Sequence, residues 1–375
     1  MTANPMLQSE VYCVPMASPD DTSQLSALFD QGVVDPEHIV AIMAQTEGDP
    51  YNRGYCTLAT QVLLSERLGM SHEDIFERIP MLMIGGVGGI MCPHFNIFIK
   101  KPASNTGASG KRLSLGVASS RPLQPEEYGT MTQIELVAQT VEEAMRDAGI
   151  TDPSEIECVE VKCPAMTPAR VLDAQSRGAR VVNPNPAAAS SFAKGACALG
   201  VALATGEVDR NQLNDGVINS DKTLYSTIAS TSAGSEQVAC RVVVIGNVEG
   251  APSRFVAAHG VMKDQLDIAS VQKMFGDAGL TLSDGVVAET DRDRVAALFV
   301  NAGADFTPMV RDRRHVLHSD FLAPFAGIQA KAVAHAVVAS VYGDTLFLAS
   351  AGAEHQGPPG SNLICLIAEA ETTRE

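Results

Sequence analysis

A lysine and a serine in the middle of the chain are of the types that carry out nucleophilic catalysis. Lys162 ends the apolar run IECVEV, and Ser232 precedes the small residues Ala233 and Gly234. A serine hydroxyl is a weak nucleophile until a base removes its proton, and a neutral lysine amine can be that base. The small residues after Ser232 leave backbone N–H groups accessible to an oxyanion. The pair therefore predicts attack on a carbonyl carbon, against the alternative of a solvated lysine on an edge strand and an unrelated turn serine.

Other catalytic motifs in the sequence are weaker. Ser191-Phe-Ala-Lys194 matches the S-x-x-K pattern of penicillin-binding proteins, but the partner motifs S-D-N and K-T-G are missing. The GGVGG run at 85–89 does not complete a dinucleotide-binding fingerprint. His315 and His318 have no third ligand near them in sequence, so a basic loop is favoured over a metal site.

The elements that position the lysine and the serine occur three times in the same order. Each copy has an apolar strand with a polar end, a small-residue helix that begins with a basic residue, and a strand that runs into a glycine turn. The strand end, basic residue and turn are Gln45, Arg53 and Ile84-Gly85-Gly86 in the first copy, and Lys162, Lys194 and Ser232-Ala233-Gly234 in the second. In the third copy they are Asn301, Lys331 and Ser350-Ala351-Gly352.

This order predicts an α+β fold of three repeated sheet-plus-helix units, over residues 1–125, 126–252 and 253–375. Pseudo-threefold packing would bring equivalent positions of the three units to one axis. The strand ends, basic residues and glycine turns are therefore expected to line one central cavity.

Charge and composition exclude several classes of partner. The 375 residues contain 27 Lys plus Arg and 44 Asp plus Glu, a net charge of −17. Such a surface repels nucleic-acid phosphates and anionic membranes, so neither is an expected partner. We find no apolar run of membrane-spanning length and no signal-peptide pattern at the N-terminus. The eight cysteines include no C-x-x-C pair, which favours reduced thiols and a cytoplasmic location.

The motifs together resemble the cyanuric acid hydrolase–barbiturase family of ring-opening amidohydrolases. The resemblance covers nearly the whole chain, and its most specific motifs are KGACALGVALATGE, ASTSAGSE, RDRRHVLHSD and SAGAEHQGP. It implies three repeats in a pseudo-threefold (toblerone-type) barrel around one active site, and a homo-oligomer, a tetramer in this family. It also implies a Ser–Lys dyad in the middle repeat, which here is Ser232 and Lys162.

The resemblance also implies residues that bind the substrate. Basic ligands are expected at Arg53, Lys194 and Lys331, with further contacts from the other strand ends, the turns and the RDRRHVLHSD motif. These further residues are Gln45, Asn301, Ile84, Ser350, Gly85, Gly86, Gly234, Gly352 and Arg314.

The sequence departs from the family pattern at several of these positions. Gln45 and Asn301 replace lysines, Ile84 replaces a serine, and Lys194 and Lys331 replace arginines, which removes two bidentate forks. The preferred substrate is therefore expected to lack threefold symmetry.

Some family members hold a divalent cation, Mg²⁺ or Ca²⁺, beside the last turn. Its backbone ligands would be Ala353, Gln356, Gly357, Pro358 and Gly360. Gly303 stands where the family has a glutamate ligand, so we expect that no cofactor is required.

The predicted activity is hydrolysis of a cyclic amide bond in a small, carbonyl-rich N-heterocycle similar to cyanuric acid or a barbiturate. Two alternatives stay open at this point. One is hydrolysis of another cyclic imide or lactam, and the other is a paralogue that binds a heterocycle without turning it over.

Overall fold

Apolar, β-branched runs form three four-stranded sheets. The computed structural model describes residues 6–48, 50–86, 88–103, 109–303, 309–316 and 326–371. The first sheet contains β1 (Leu7–Pro15), β2 (Ile39–Glu47), β3 (Met81–Gly86) and β4 (His94–Pro102). The second contains β5 (Lys111–Pro122), β6 (Ile156–Pro164), β7 (Ala229–Gly234) and β8 (Ala239–Glu249). The third contains β9 (Phe255–Met262), β12 (Val295–Ala302), β15 (Leu348–Ala351) and β16 (Asn362–Glu369).

The three sheets have the same strand order. The orders are β1-β4-β2-β3, β5-β8-β6-β7 and β9-β16-β12-β15. The strands β2, β6 and β12 occupy equivalent places. Each pairs in parallel with the edge strand that follows it in this order (β3, β7 and β15) and antiparallel with the strand that precedes it (β4, β8 and β16). Two short hairpins complete the strands, β10 (Leu282–Ser283) with β11 (Val286–Val287) and β13 (Met309–Val310) with β14 (Arg313–Arg314).

Helices connect and cover the strands. They are α1 (Ser23–Asp30), α2 (Pro50–Leu68), α3 (His72–Arg78), α4 (Met131–Ala148), α5 (Pro168–Ser176), α6 (Pro186–Thr205), α7 (Ile268–Asp277), α8 (Glu289–Arg292) and α9 (Ala326–Tyr342). In α6, the Asn185 side chain accepts from the N–H groups of Ala187 and Ala188, and Gly206 ends the helix with a positive φ of 75°. These caps satisfy backbone groups that a helix end leaves unpaired.

The sheets share one core and each has a second, helix-covered core. Residues of all three sheets, among them Met43, Val243 and Ile367, form a common buried cluster. On the other faces, α1–α3 pack on the first sheet, α4 and α6 on the second, and α7 and α9 on the third. Because β2, β6 and β12 are covered on both sides, they are buried along nearly their whole length.

Two expectations from the sequence differ from the structure. β5 pairs with β8, so the second sheet begins before the predicted unit boundary at 125/126, whereas the boundary at 252/253 falls in the connection between β8 and β9. The helices α2, α6 and α9 begin before Arg53, Lys194 and Lys331 rather than at them.

Helix α6 departs from the expectation that no apolar run reaches membrane-spanning length. It has 20 residues and a mean hydropathy of 1.4, enough to cross a bilayer by length and composition. Alternating small and apolar residues from Ala189 to Ala202 are buried against β6, β7 and α4. Its apolar character is therefore that of a core helix.

Candidate active site

A cavity of about 290 Å³ lies where β3, β6, β7, β15 and three helices meet. We call it the central cavity. Residues that the repeat pattern placed there from each of the three copies line it: Arg53, Ile84, Gly85, Lys162, Lys194, Ser232, Lys331 and Ser350. Ala165, Ser190, Ala233, Ala349 and Ala351 complete the wall, and the sequence pattern had not singled out Ser190.

Each turn residue stands beside the polar strand end of its own sheet. In the parallel pairs, Lys162 is in register with Ser232 on β6 and β7. Gln45 is likewise in register with Ile84, and Asn301 with Ser350. Side chains of paired residues project from the same face of a sheet, so only the second sheet offers a serine beside a lysine.

Lys162 is buried in surroundings that disfavour its charge. Its side chain is 1% exposed, and its Nζ donates to the Met83 carbonyl oxygen over 2.7 Å. Burial lowers the pKa of Lys162, the Glu236 carboxylate opposes that shift, and Arg53 adds to it. A neutral amine keeps two N–H donors and a lone pair, so the bond to Met83 leaves Lys162 able to accept a proton.

Glu236 is a residue of this site that reasoning from the sequence missed. Its Oε1 lies 3.8 Å from Lys162 Nζ and accepts no hydrogen bond from a described residue. The signal was present in the repeat, because SAGSE and SAGAE both place a glutamate four positions after the serine, at Glu236 and Glu354. The first copy has Gly88 at this position.

Glu354 pairs with the other lysine of the middle copy. Lys194 Nζ lies 2.9 Å from Glu354 Oε1, which also accepts from Ser191 Oγ over 2.9 Å. Although burial alone would raise the pKa of Glu354, Lys194 and Ser191 hold it below its ordinary value, so the carboxyl is ionised. Burial and the nearby Lys194 lower the pKa of Lys331.

The strand-end residues also connect neighbouring sheets at the edge strands β3, β7 and β15. Lys162 of the second sheet donates to Met83 on β3 of the first sheet. Gln45 of the first sheet accepts, through Oε1, from the Ala349 N–H on β15 of the third sheet over 2.6 Å. These bonds satisfy edge-strand backbone groups that have no strand beside them.

Asn301 makes the corresponding connection through Gln356. Its Nδ2 donates to Gln356 Oε1 over 2.7 Å, and the same oxygen accepts from the Thr231 N–H on β7 over 2.6 Å. Met83, Thr231 and Ala349 each directly precede the turn residue of their sheet. The first sheet therefore contacts the turn of the third, the third contacts the turn of the second, and the second contacts the turn of the first. The three strand ends thus hold the three turns in place in a closed cycle.

Several predicted substrate-binding residues lie outside the lining of the central cavity. Gln45 Nε2 donates to the carbonyl oxygens of Thr46 and Ile84, so the described backbone engages its whole amide. Asn301 is 2% exposed and lies beside Ser350 on the neighbouring strand. Arg314 is exposed on the β13–β14 hairpin.

The last glycines of the three turns lie in different surroundings. Gly86 and Gly234 end β3 and β7, and Gly352 lines a neighbouring cavity instead. A Cβ at Gly352 would lie 2.5 Å from Glu354 Oε2 and 3.3 Å from Lys194 Nζ, so a larger residue would displace these side chains. His318 lies outside the described residues.

The last turn does not fit the divalent cation that some family members hold there. The Pro358 carbonyl oxygen already accepts from the N–H and Oγ of Ser361, over 3.0 and 2.6 Å. A Cβ at Gly303 would collide with the Ser361 carbonyl oxygen, so a glutamate ligand has no room there. No group of three or more His, Cys, Asp or Glu among the described residues is arranged to hold a metal ion.

His355 fixes the last turn on the second unit. Its Nε2 accepts from the Asn219 N–H over 2.7 Å, so its Nδ1 carries the proton and donates to the Leu224 carbonyl. Burial lowers the pKa of His355. A neutral ring with both nitrogens engaged is structural and cannot serve as a base.

Known proteins are similar to the chain over nearly its whole length. A family model described as amidohydrolase ring-opening protein matches residues 10–369. A cyanuric acid amidohydrolase of Enterobacter cloacae is 40% identical over 369 residues, which cover 96% of this chain and 99% of that protein. A cyclic amide hydrolase of Azorhizobium caulinodans is 39% identical over 364 residues, which cover 96% and 99%.

Solved structures extend the similarity to the fold. A cyanuric acid hydrolase structure has a TM-score of 0.89 and 38% identity and covers 97% of this chain and all (100%) of its own. The cyanuric acid hydrolase from A. caulinodans has a TM-score of 0.85 and 34% identity, with 98% and 100% covered. The resemblance predicted from the motifs is thus confirmed, and the chain belongs to the ring-opening amidohydrolase family.

Proposed function

We propose that this ring-opening amidohydrolase hydrolyses its cyclic amide with Ser232 as nucleophile and Lys162 as general base. The observation that carries the proposal is the register of these two residues on adjacent strands, together with the burial that lowers the pKa of Lys162. The register places the base beside the nucleophile, and the lowered pKa leaves more of the amine neutral near neutral pH.

The reaction needs two proton transfers at Lys162 in each half. Ser232 Oγ attacks a ring carbonyl while Lys162 takes its proton, and the Ala233 and Gly234 N–H groups face the resulting oxyanion. The ring C–N bond then breaks as Lys162 returns the proton to the leaving nitrogen, which gives an ester on Ser232. Water attacks the ester with Lys162 again as base, and the proton returns to Ser232 Oγ as the open-chain carboxylic acid leaves.

The fold supports a pseudo-threefold barrel around this one site. Its support is the repeated strand order, the core shared by the three sheets, and the closed cycle of contacts that Gln45, Lys162 and Asn301 make with neighbouring turns. In this arrangement all three copies contribute a sheet to the barrel, and the second copy supplies the nucleophile and the base.

The lining of the central cavity favours a substrate with unlike edges. Among the described residues that line it, Arg53 is the one bidentate donor, Lys194 is already paired with Glu354, and Ile84 presents an apolar edge. We propose a planar cyclic imide or ureide with polar groups on two edges and a C–H, methyl or larger apolar group on the third.

The remaining expectations concern the surroundings of the enzyme. The eight cysteines are all free thiols, which supports a reducing compartment such as the cytoplasm. We expect a homo-oligomer, a tetramer by family, and the exposed side chains of Tyr55, Leu58 and Val62 along one face of α2 are the apolar surface that supports it. We propose that a small heterocycle is the substrate, that nucleic acid and membrane are not partners, and that no cofactor is required.

A substrate screen tests the proposal. Barbiturates, cyanurate, hydantoins, uracils and cyclic imides would be assayed by loss of ring absorbance, with Ser232→Ala as the matched inactive control. Opening of at least one ring by the natural chain, abolished in Ser232→Ala, is the expected result. Tight binding of a ring without turnover would favour the heterocycle-binding alternative, and turnover by Ser232→Ala would refute the dyad.

A further inference from the structure

A second cavity, of about 310 Å³, adjoins the central cavity. We call it the side cavity. Lys194, Lys331 and Ala351 line both cavities and form the wall between them. Ser191, Asn219, Lys222 and Glu354 supply polar groups to the side cavity, and the last turn closes it.

Two hydrogen-bond acceptors on this lining are buried without a donor. Glu354 accepts through Oε1 from Lys194 and Ser191, but no described residue donates to its Oε2. Asn219 donates through Nδ2 to Ser191 Oγ over 3.2 Å, but its Oδ1 is likewise buried and unpaired. Each such acceptor costs roughly 1–3 kcal/mol until a donor reaches it. The side cavity therefore favours a ligand that carries N–H groups.

The opening of a ring produces a chain with N–H groups of the kind that the side cavity favours. When the C–N bond of a cyclic amide breaks, the leaving nitrogen stays tethered to the acyl group on Ser232. A tethered nucleophile has an effective concentration as high as roughly 10⁵–10⁸ M, so its return to the ester carbonyl competes with attack by water. The opened chain is also longer than the ring and can extend beyond the central cavity.

We propose that the side cavity receives the N–H-bearing end of the opened chain and keeps it away from the ester on Ser232. After a rotation of the Glu354 and Asn219 side chains toward the cavity, an amide or urea end would donate its N–H groups to Glu354 Oε2 and Asn219 Oδ1. Its carbonyl oxygen would accept from Lys331, or from Lys222 at the exposed end of the cavity. This assignment rests on the proposed function, because only a ring-opening reaction produces such a chain.

Variants of the two acceptors distinguish binding of the opened chain from binding of the ring. Asn219 has a positive φ of 60°, so Asn219→Gly removes the side chain and keeps the backbone conformation. Glu354→Gln keeps the shape of the side chain but turns an acceptor into a partial donor. Asp284→Gly is the matched control, because Asp284 also has a positive φ, 51°, and is exposed away from both cavities.

The binding experiment uses titration calorimetry in a Ser232→Ala background, which prevents turnover. The probes are barbituric acid and its open-chain hydrolysis product, 3-oxo-3-ureidopropanoate. Asn219→Gly should weaken binding of the open chain about tenfold or more and change binding of the ring less than about threefold. Glu354→Gln should weaken binding of the open chain by a similar factor, but the comparison with the ring rests on Asn219→Gly alone, because Glu354→Gln also releases Lys194 in the central cavity. Asp284→Gly should change binding of neither probe. Equal affinities of all variants for the open chain, or no binding of it to the parent protein, would overturn the proposal.

A kinetic readout distinguishes this proposal from the function on which it rests. With Ser232 in place and a ring that the enzyme opens, Asn219→Gly should lower kcat severalfold and leave KM nearly unchanged, because more of the acyl-enzyme returns to the ring. Absence of turnover of any ring by the natural chain counts against the proposed function. Normal turnover together with unchanged kcat in Asn219→Gly counts against the side-cavity assignment alone.

Discussion

Lys162 Nζ lies 3.8 Å from Glu236 Oε1 in the interior of the protein, too far for a direct hydrogen bond. The carboxylate therefore acts on the lysine through its charge, and it raises the pKa that burial and Arg53 lower. Opposite influences thus act on the pKa of this amine, and the lowering influence of burial is the largest. A lowered pKa is what a lysine needs if it must take and return a proton within one catalytic cycle.

Replacement of Glu236 should shift the pH dependence of the reaction. If neutral Lys162 is the base, the rate rises with pH through the lowered pKa of this lysine. Glu236→Gln removes a charge that raises this pKa, so the inflection should move to lower pH. The measurement is kcat/KM against pH, and an unmoved or upward-moved inflection would contradict the role given to Glu236.

The cation that matters for Lys162 is Arg53. Of the three basic residues that the repeat pattern places in the central cavity, Arg53 lowers the pKa of Lys162, while Lys194 lowers the pKa of Lys331. Arg53→Gln should therefore move the inflection to higher pH, and Arg53→Lys, which keeps the charge, should move it less. Lys194→Gln, which leaves Glu354 unneutralised, serves as the comparison for a charge change farther from the base.

The dyad should behave as one unit. Ser232→Ala and Lys162→Ala should each lower kcat by roughly 10³-fold or more, and the double variant should cost little beyond either single change. Ser350→Ala should cost far less, because its partner Asn301 donates to Gln356 and cannot act as a base. Circular dichroism would show that each variant is folded. A larger loss in Ser350→Ala than in Ser232→Ala would mean that the third copy is the working one.

The repeats made the site predictable, because each element had two others against which to align it. The strand ends, the turns and the basic helix residues could be found in this way, and the family was evident from the motifs. The role of Gln45 could not be found, because its bond to Ala349 joins residues 304 positions apart. The β5 boundary was missed because the strand pairs with β8, far along the chain, and nothing local in Lys111–Pro122 indicates its partner.

Glu160 should make the stability of the protein depend on pH. This residue is two positions before Lys162 on β6, and burial raises its pKa to about 7 from 4.5. An acid whose pKa is raised on folding contributes stability below its unfolded pKa and loses it as the pH rises through the folded value. The loss here falls between about pH 4.5 and 7 and is on the order of 3 kcal/mol, at ~1.4 kcal/mol per pH unit.

Urea unfolding at pH 5 and pH 8 measures this loss. Glu160→Gln cannot ionise, so its free energy of unfolding should fall less than that of the natural chain between the two values. Glu157→Gln, at a partly exposed carboxylate on the same strand that already pairs with His259, is the matched control. Parallel falls in Glu160→Gln and the natural chain would show that Glu160 does not ionise with an unfavourable energy in the folded state.

Removal of divalent cations should leave the enzyme unchanged. Ser361 occupies both the Pro358 carbonyl and the space beside Gly303, where a cation and its glutamate would have to sit. Dialysis against EDTA should therefore shift Tm by less than about 2 °C and kcat by less than about twofold. A large loss of either that Mg²⁺ or Ca²⁺ restores would show that the turn binds a metal despite these contacts.

Ile84 should decide which ring the enzyme prefers. Its side chain lines the central cavity and also belongs to the core that the three sheets share, and it is only 4% exposed. A ring carbonyl held against it would lose a hydrogen-bond partner, at roughly 1–3 kcal/mol, which is about fivefold to 100-fold in specificity. A ring with an apolar group on one edge should therefore compete better than the same ring with a third carbonyl.

Substitution at Ile84 tests whether this edge recognises the substrate or only packs. Ile84→Ser restores a hydroxyl beside Gln45 and should shift the competition toward the fully carbonylated ring, whereas Ile84→Val keeps the edge apolar and should not. Both changes remove volume from the shared core, so Ile84→Val also controls for lost packing. If Ile84→Ser lowers stability but leaves the ratio of kcat/KM for the two rings as it was, the residue serves the core alone. In that case the discrimination between ring edges rests on the backbone of the turn and on Arg53.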